Sequence, residues 1–225
     1  MAVQLFYQLV LRSRRQIASA IWEFRFNKPA DFKHTAGQFT QFYIPEGSGF
    51  VLRSYSISSA SAADYLEFCI KLIPSGIASN YLSKLEVGQK LNASVSRGLF
   101  VCQDISVPRY FIATGTGIAP IMAMIDDNSN GGEMDLLFGV RNEEDLFWVE
   151  RFEAVKAKNK KFNFLITLSQ GSKDWTGQRG RVTEHLKIDP KGHYYICGRM
   201  EMVKDVRNFL LNNGVNIKSV HFEIF

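Results

Sequence analysis

The sequence predicts two domains of different class: an antiparallel β-barrel over residues 1–105, then an α/β domain with a doubly wound parallel sheet over residues 106–225. Three observations predict this. Short runs of alternating apolar and polar residues crowd the first half. From Val107-Pro108 onward the strands become continuous apolar runs with helical segments between them. In that second half, glycine turns fall where a strand gives way to a helix.

The first-half strands read "VQLFYQLVL", "IWEFRF", "QFTQFYI", "RSYSIS", "YLEFCIKL" and "KLNASVS". Turn-forming pieces such as Asn27-Lys28-Pro29 and Pro45 to Gly49 separate them. One short helix is expected at "IASNYLSKL". In the second half, "RYFIAT" leads to a helix at "APIMAMIDD", and "MDLLFGV" to one over "EEDLFWVERFEAVKAK". "FNFLITLS" leads to a helix at "RVTEHL", "HYYICG" to one at "EMVKDVRNFLLNN", and "SVHFEIF" is a final strand.

Composition narrows the function. The chain has 225 residues, 46% hydrophobic and 22% charged, the balance of an ordinary globular protein. No apolar run approaches the roughly 20 residues needed to cross a bilayer, so no membrane insertion is expected. The Leu5, Tyr7, Leu9, Leu11 alternation is a strand pattern, not a signal peptide. Three widely spaced cysteines form neither a metal cluster nor a disulfide framework, which points to the cytoplasm and to no metal. The formal charge of +5 comes from scattered residues. That disfavours nucleic acid and favours acidic or phosphate-bearing partners.

Several short pieces carry chemistry. In "RSYSISS", Arg53 and Tyr55 fall on one side of an extended chain and Ser54 and Ser56 on the other, where a half-buried strand would alternate apolar with polar. Gly76, Ile77, Ala78 and Ser79 open the short helix, whose start together with Arg53 can hold a pyrophosphate. In "IATGTGIAP", Gly115 and Gly117 let the backbone approach a phosphate at a helix N-terminus, and Thr114 and Thr116 add hydroxyls. A second glycine turn, Cys197-Gly198, belongs on the same edge of the sheet. Glu223 lies near Phe225 in the last strand. Each piece has an ordinary structural explanation when taken singly: a tight turn, a core aromatic, a surface ion pair, a solvated acid.

Taken in this order, the pieces resemble the ferredoxin–NADP⁺ reductase superfamily of flavoproteins nearly end to end. They are RxYS at Arg53, Tyr55 and Ser56, GxxS at Gly76 and Ser79, GTGxxP from Gly115 to Pro120, CG at Cys197-Gly198, and E-x-aromatic at Glu223 and Phe225. The resemblance implies an FAD-binding barrel followed by an NAD(P)-binding α/β domain. Arg53 would bind the FAD pyrophosphate, Tyr55 pack on the isoalloxazine and Ser56 lie near flavin N5. Ser54, the strand end Cys69-Ile70-Lys71 and the turn from Gly76 to Ser79 complete the flavin site. Thr114 through Gly117, Pro120, Ser169, Arg179 and Gly198 would hold NADPH or NADH. Cys197 would sit beside the nicotinamide, Glu223 assist proton or electron exchange, and Phe225 cover the flavin.

Two departures stand out. Plant-type relatives end in tyrosine where this chain has Phe225. NADP-specific relatives place Ser-Arg where this chain has Ser169-Gln170, so Lys173, Arg179 or Arg181 are the candidates to meet a 2′-phosphate, and the choice of nucleotide stays open. Phe100 and Tyr81 are candidates to stack on the FAD adenine. No CxxxxCxxC pattern occurs, so electrons are expected to pass to a separate acidic carrier, a ferredoxin or flavodoxin, from a monomer. The alternatives are a reductase of free flavin and the reductase subunit of a larger oxygenase or redox complex.

Overall fold

The structure is a computed structural model and describes residues 6–225. Strands β1 (Tyr7–Ala18), β2 (Ile21–Asn27), β3 (Phe39–Glu46), β4 (Gly49–Ser56), β5 (Tyr65–Lys71) and β6 (Lys90–Ala93) form one antiparallel sheet in the order β4-β3-β6-β1-β2-β5. A bridge between Ile57 and Phe68 draws the two edge strands together and closes the sheet into a barrel. Alternate residues point inward. Leu9, Leu11, Phe24, Phe26, Phe42, Phe68 and Leu91 fill the interior, with Ala78 and Leu82 of helix α1 (Ile77–Lys84) packed on them.

Strand β1 runs seven residues past the expected Leu11. Its continuation, "RSRRQIA", has no apolar alternation, but β2 supplies cross-strand partners. Arg15 pairs with Glu23, and the Arg14 guanidinium lies over the Trp22 ring at 5.5 Å. Residues 3–5 of the expected first strand lie outside the described residues.

The second half alternates strand and helix: β7 (Arg109–Thr114), α2 (Ile118–Asp127), β8 (Met134–Val140), α3 (Val149–Lys158), β9 (Phe162–Leu168), β10 (Gln178–Arg179), β11 (His193–Gly198), α4 (Met200–Asn212) and β12 (Val220–Ile224). Its strands pair in parallel in the order β10-β9-β8-β7-β11-β12. Helices α2 and α3 cover one face, in a core that also takes Ile21, Ala36, Cys69 and Phe100. Helix α4 covers the other face. Every residue of α2 from Ile118 to Ile125 is buried, as a helix lying between a sheet and a second domain requires.

The two-domain expectation holds, but three elements differ. The helix expected from Glu143 starts only at Val149, because Trp148 adopts a left-handed backbone at φ 61° and is buried with Phe147. The helix expected over "RVTEHL" is a single 3₁₀ turn, Val182–Glu184. The two-residue strand β10 has no periodicity to reveal it.

A polar network joins the domains. Glu67 of β5, fully buried, accepts from Arg25 and Ser58 of its own domain and from Arg151 of α3 at 2.7 Å. Arg151 also donates to the Ser58 carbonyl and to Asp126 of α2, and its guanidinium lies 4.7 Å from the Trp148 ring. Trp148 Nε1 donates to the buried Glu23 at 3.0 Å. Burial pushes the Glu23 carboxyl up, but its contacts with Arg15, Trp148 and Arg25 outweigh this and hold it below the usual range. Burial pushes Asp126 up, with Arg151 opposing.

Removing one member of a buried ion pair strands the other, at a cost of about 3–5 kcal/mol. Arg151→Met should therefore destabilise the protein by about that much in urea unfolding. Adding Glu67→Gln, which removes one stranded charge, should restore part of the loss.

Candidate active site

At the C-terminal edge of the parallel sheet lies a cavity of about 520 Å³, the place where open α/β sheets take ligands. The turn after β7 forms its floor, with Thr114, Gly115, Thr116 and Gly117 all lining it. Gly115 has a φ of 54°, and a side chain on Gly117 would meet the Cys197 carbonyl oxygen at 2.4 Å. Only glycine lets these two turns approach so closely. The N-terminus of α2 has no side-chain cap and no acidic residue in its first turn. The Ile118 N–H turns back to the Gly115 carbonyl and Pro120 has none, so what the helix offers an anion is its positive dipole end.

Of the residues expected to hold a nucleotide, Ser169 and Gly198 also line the cavity. Pro120 does not; it is buried in the first turn of α2, a position that needs no N–H. Arg179 is occupied elsewhere. Its guanidinium donates to the carbonyls of Gly171, Ser172, Lys173 and Trp175, and so shapes the loop at 171–175. Arg141, Arg181 and Arg199 face the cavity instead, opposed by Asp145, Glu201 and Asp205. Arg141 and Arg199 were not among the expected residues, although both follow strand ends on the ligand edge.

The barrel closes the cavity through Ile21 and Lys71. Within the expected Cys69-Ile70-Lys71 segment only Lys71 presents its side chain. Cys69 packs in the core with α2, and Ile70 packs inside the barrel. Cys197 is likewise fully buried, beside Glu223, and burial pushes its thiol well up. It meets the cavity side through its main chain, not as an exposed thiol.

The ends of β4 and β12 meet at the seam. Ser56 Oγ and Glu223 Oε2 are buried and neither closes a hydrogen bond. Burial raises the Glu223 carboxyl to about 7, while the nearby Ser56 hydroxyl draws it down more weakly. Phe225 lines the cavity and is 53% exposed, and its backbone N–H donates to the Gly198 carbonyl. Tyr55 packs on Phe42 at 4.9 Å, and burial pushes its phenol up to about 12. Arg53 and Ser54 are exposed, with Arg53 Nη1 on the Leu52 carbonyl. Phe50 and Leu52 of the same strand are exposed too.

At the α1 turn, Gly76 caps the helix without a side-chain bond. Ile77 is exposed and Ala78 buried, and the Ser79 hydroxyl accepts from the Ile73 N–H. The adenine candidate Phe100 is withdrawn: it is buried edge-on against Tyr195. Tyr81 remains half-buried on the barrel core.

Comparison with known proteins identifies the family. A family model described as "Oxidoreductase FAD-binding domain" matches residues 8–101, and one described as "Oxidoreductase NAD-binding domain" matches residues 111–208. The chain is 35% identical to Ferredoxin--NADP reductase B of Sorangium cellulosum over 208 residues, covering 85% of each. It belongs to the ferredoxin–NADP⁺ reductase family. It is thus an FAD-containing NAD(P)H oxidoreductase. It is also 30% identical to the anthranilate 1,2-dioxygenase electron transfer component of Acinetobacter baylyi, spanning 84% of this chain and 57% of that one. In fold it matches a ferredoxin NADP⁺ reductase from Neisseria gonorrhoeae with a TM-score of 0.88 at 24% identity, across 99% of both chains.

The residues present fit FAD. The barrel strand β4 leaves apolar and aromatic surface uncovered, as a site for a flat ligand does. At its end stand two buried polar atoms without partners, which a ring with polar edges satisfies.

The raised Glu223 carboxyl carries a pH signature. The folded state binds its proton up to about 7, against an ordinary value of 4.5. Below 4.5 the group is neutral in both states and costs nothing. As pH rises through 7 it must ionise while buried, and that stability is lost. Glu223→Gln, always neutral, should gain on the unsubstituted protein between pH 4.5 and 7, by at most about 3 kcal/mol, and hold that gain above. Thermal melts across this range check it.

Proposed function

We propose that the protein takes hydride from reduced nicotinamide C4 onto flavin N5 and passes the electrons to a separate acidic carrier of the ferredoxin or flavodoxin kind. The observation that carries this reading is the orphaned Ser56–Glu223 pair at the barrel edge, beside a cavity floored by an uncapped helix N-terminus.

Bound FAD supplies hydride acceptance and single-electron release. The chain's own residues do the rest. Tyr55 would back one face of the ring, and the end of the barrel strand would bring the Ser56 hydroxyl to its N5 edge. The turn from Thr114 to Gly117 holds the nucleotide pyrophosphate and so orients the nicotinamide, which removes an entropic barrier. Glu223 holds or yields a proton near neutrality. Phe225 covers the ring and gives way to the nicotinamide. Arg181 and Arg199 are the cations placed to meet a 2′-phosphate, the role expected of Arg179. Three free cysteines suit a reducing compartment.

A second reading, the electron-transfer component of an oxygenase, is favoured by the likeness to the anthranilate dioxygenase component. It shares the chemistry and differs in the acceptor.

Ser56→Ala should slow flavin reduction at least tenfold in stopped-flow with FAD content unchanged; an unaltered rate overturns the placement of Ser56. Phe225→Ala should tighten nucleotide binding or change the hydride-transfer rate, and no change in either removes the cover role. Arg181→Ala should lower kcat/KM for NADPH about tenfold more than for NADH, the worth of one charge-assisted contact. Turnover with an acidic carrier should fall steeply as salt rises, since the chain carries a net +5.

A further inference from the structure

We infer that His221 and His193 carry protons between Glu223 and solvent, extending the Ser56–Glu223 pair into a path along β12 and β11. The inference rests on the proposed reaction, because it concerns the proton that this reaction leaves behind.

The path follows from strand geometry. In the parallel pairing of β11 with β12, Tyr195 stands opposite His221 and Cys197 opposite Glu223. Alternate residues share a face. His221 and Glu223 therefore lie on one side of β12, the side on which Tyr195 and Cys197 enter the core with α2. Such neighbours stand about 7 Å apart along a strand, a gap the flexible Glu223 side chain spans by rotation. Beyond His221 the contact is direct: His221 Nε2 and His193 Nδ1 are 3.1 Å apart.

The His221 ring is held in place. It stacks on Tyr195 with centroids 4.8 Å apart and planes 18° apart. The Tyr195 hydroxyl is itself fixed, accepting the Gln103 N–H at 2.9 Å. No hydrogen bond engages His221 Nδ1, on the entry side, or His193 Nε2, on the exit side, among the described residues. Both rings are partly exposed, and Asp104 of the exposed interdomain segment interacts electrostatically with His193 at the outer end.

Tyr195 on β11 packs against both rings, Asp104 on the interdomain segment acts on His193, Arg109 on β7 stands opposite His193 in register, and Glu223 stands two residues along β12 from His221. Burial lowers His221, and His193 lowers it further. Burial raises the Glu223 carboxyl to about 7, so it can hold and yield a proton near neutrality.

The proton count closes. A hydride brings two electrons and one proton. When both electrons have left singly to a carrier, one proton remains at N5. The N5–H bond breaks as Ser56 Oγ takes that proton and gives its own to Glu223. Glu223 passes a proton to His221 Nδ1. His221 passes its Nε2 proton to His193 Nδ1, and His193 releases its Nε2 proton to water. Every side chain ends neutral or charged as it began; the imidazole tautomers reset by exchange with solvent.

The test uses the FAD-loaded protein, reduced photochemically and mixed with ferricyanide, which accepts electrons but no protons. Flavin absorbance times the electron loss, and an indicator dye times proton release. In the unsubstituted protein the two should coincide. In His221→Ala and His193→Phe, proton release should lag electron loss at least tenfold, and added imidazole should rescue His221→Ala. Release that keeps pace with electron loss in both variants overturns the path. Independently of turnover, nitrogen-15 NMR of the imidazoles should show the His221 titration displaced by Glu223→Gln, with His185 unmoved. A His221 titration indifferent to that change also overturns it. Because no pyridine nucleotide takes part, a failure of the proposed reaction appears separately, as absent reduction by NADH and NADPH.

Discussion

The carboxylate of Glu67 is buried from both sides, and much of the molecule follows from satisfying it. A carboxylate without water must be paired and hydrogen-bonded or it cannot stay ionised. Its partners come from both domains: Arg25 and Ser58 from the barrel, Arg151 from α3. Arg151 in turn ties α2 through Asp126. Four residues beyond Glu67 on the same strand, Lys71 faces the cavity, while α2 begins at the glycine turn that floors it. One charge cluster therefore sets both walls of the seam. The apolar core that α2 shares with Cys69, Ile21 and Phe100 supplies most of the adhesion between domains, and the ion pairs supply its register.

The polar groups of the seam contrast with those of the clamp. In the clamp the buried carboxylate oxygens and guanidinium groups meet. At the seam Ser56, Thr114 and Glu223 each keep a buried polar atom without a partner. Such atoms are costly, and at the seam a bound ligand can satisfy them, whereas His34 and Arg109 keep others away from the cavity. Thr114 stands at the glycine turn, and Ser56 and Glu223 stand at the barrel edge, on the two sides of one cavity. Stability is invested behind the site and withheld within it.

The fold was legible in the sequence because its signals are local. Alternation in "IWEFRF" and continuous apolarity in "RYFIAT" distinguish antiparallel from buried parallel strands without tertiary information. The errors arose where tertiary contacts override local preference. Glu143 to Trp148 has helical composition, but burying Trp148 against Glu23 and Arg151 turns its backbone left-handed and delays the helix. Cys69 and Cys197, which entered the site through the resemblance, are buried in the core that α2 shares, and so is Phe100, the adenine candidate. Arg179 was singled out for its charge, yet four nearby carbonyls claim its guanidinium, a local arrangement that residue type does not reveal. Arg141 and Arg199 were legible in principle, from their place just beyond strands β8 and β11.

The placement of Phe225 limits how the proposed nicotinamide entry can work. Its backbone is tied to Gly198, on the proposed nucleotide side of the cavity, while the residue is 53% exposed. Full burial of a phenylalanine side chain is worth about 1.5–3 kcal/mol, so moving a half-exposed ring aside costs about 1 kcal/mol. That lowers nucleotide affinity only several-fold, whereas breaking the hydrogen bond to Gly198 would disturb the turn that packs against Gly117 of the proposed pyrophosphate loop. The ring can therefore swing by side-chain rotation while the strand stays in place. Glu223, two residues back on that strand, then keeps its position beside Ser56 whether the cover is open or closed. Opening the site would then leave Ser56 and Glu223, the proposed proton carriers, in place.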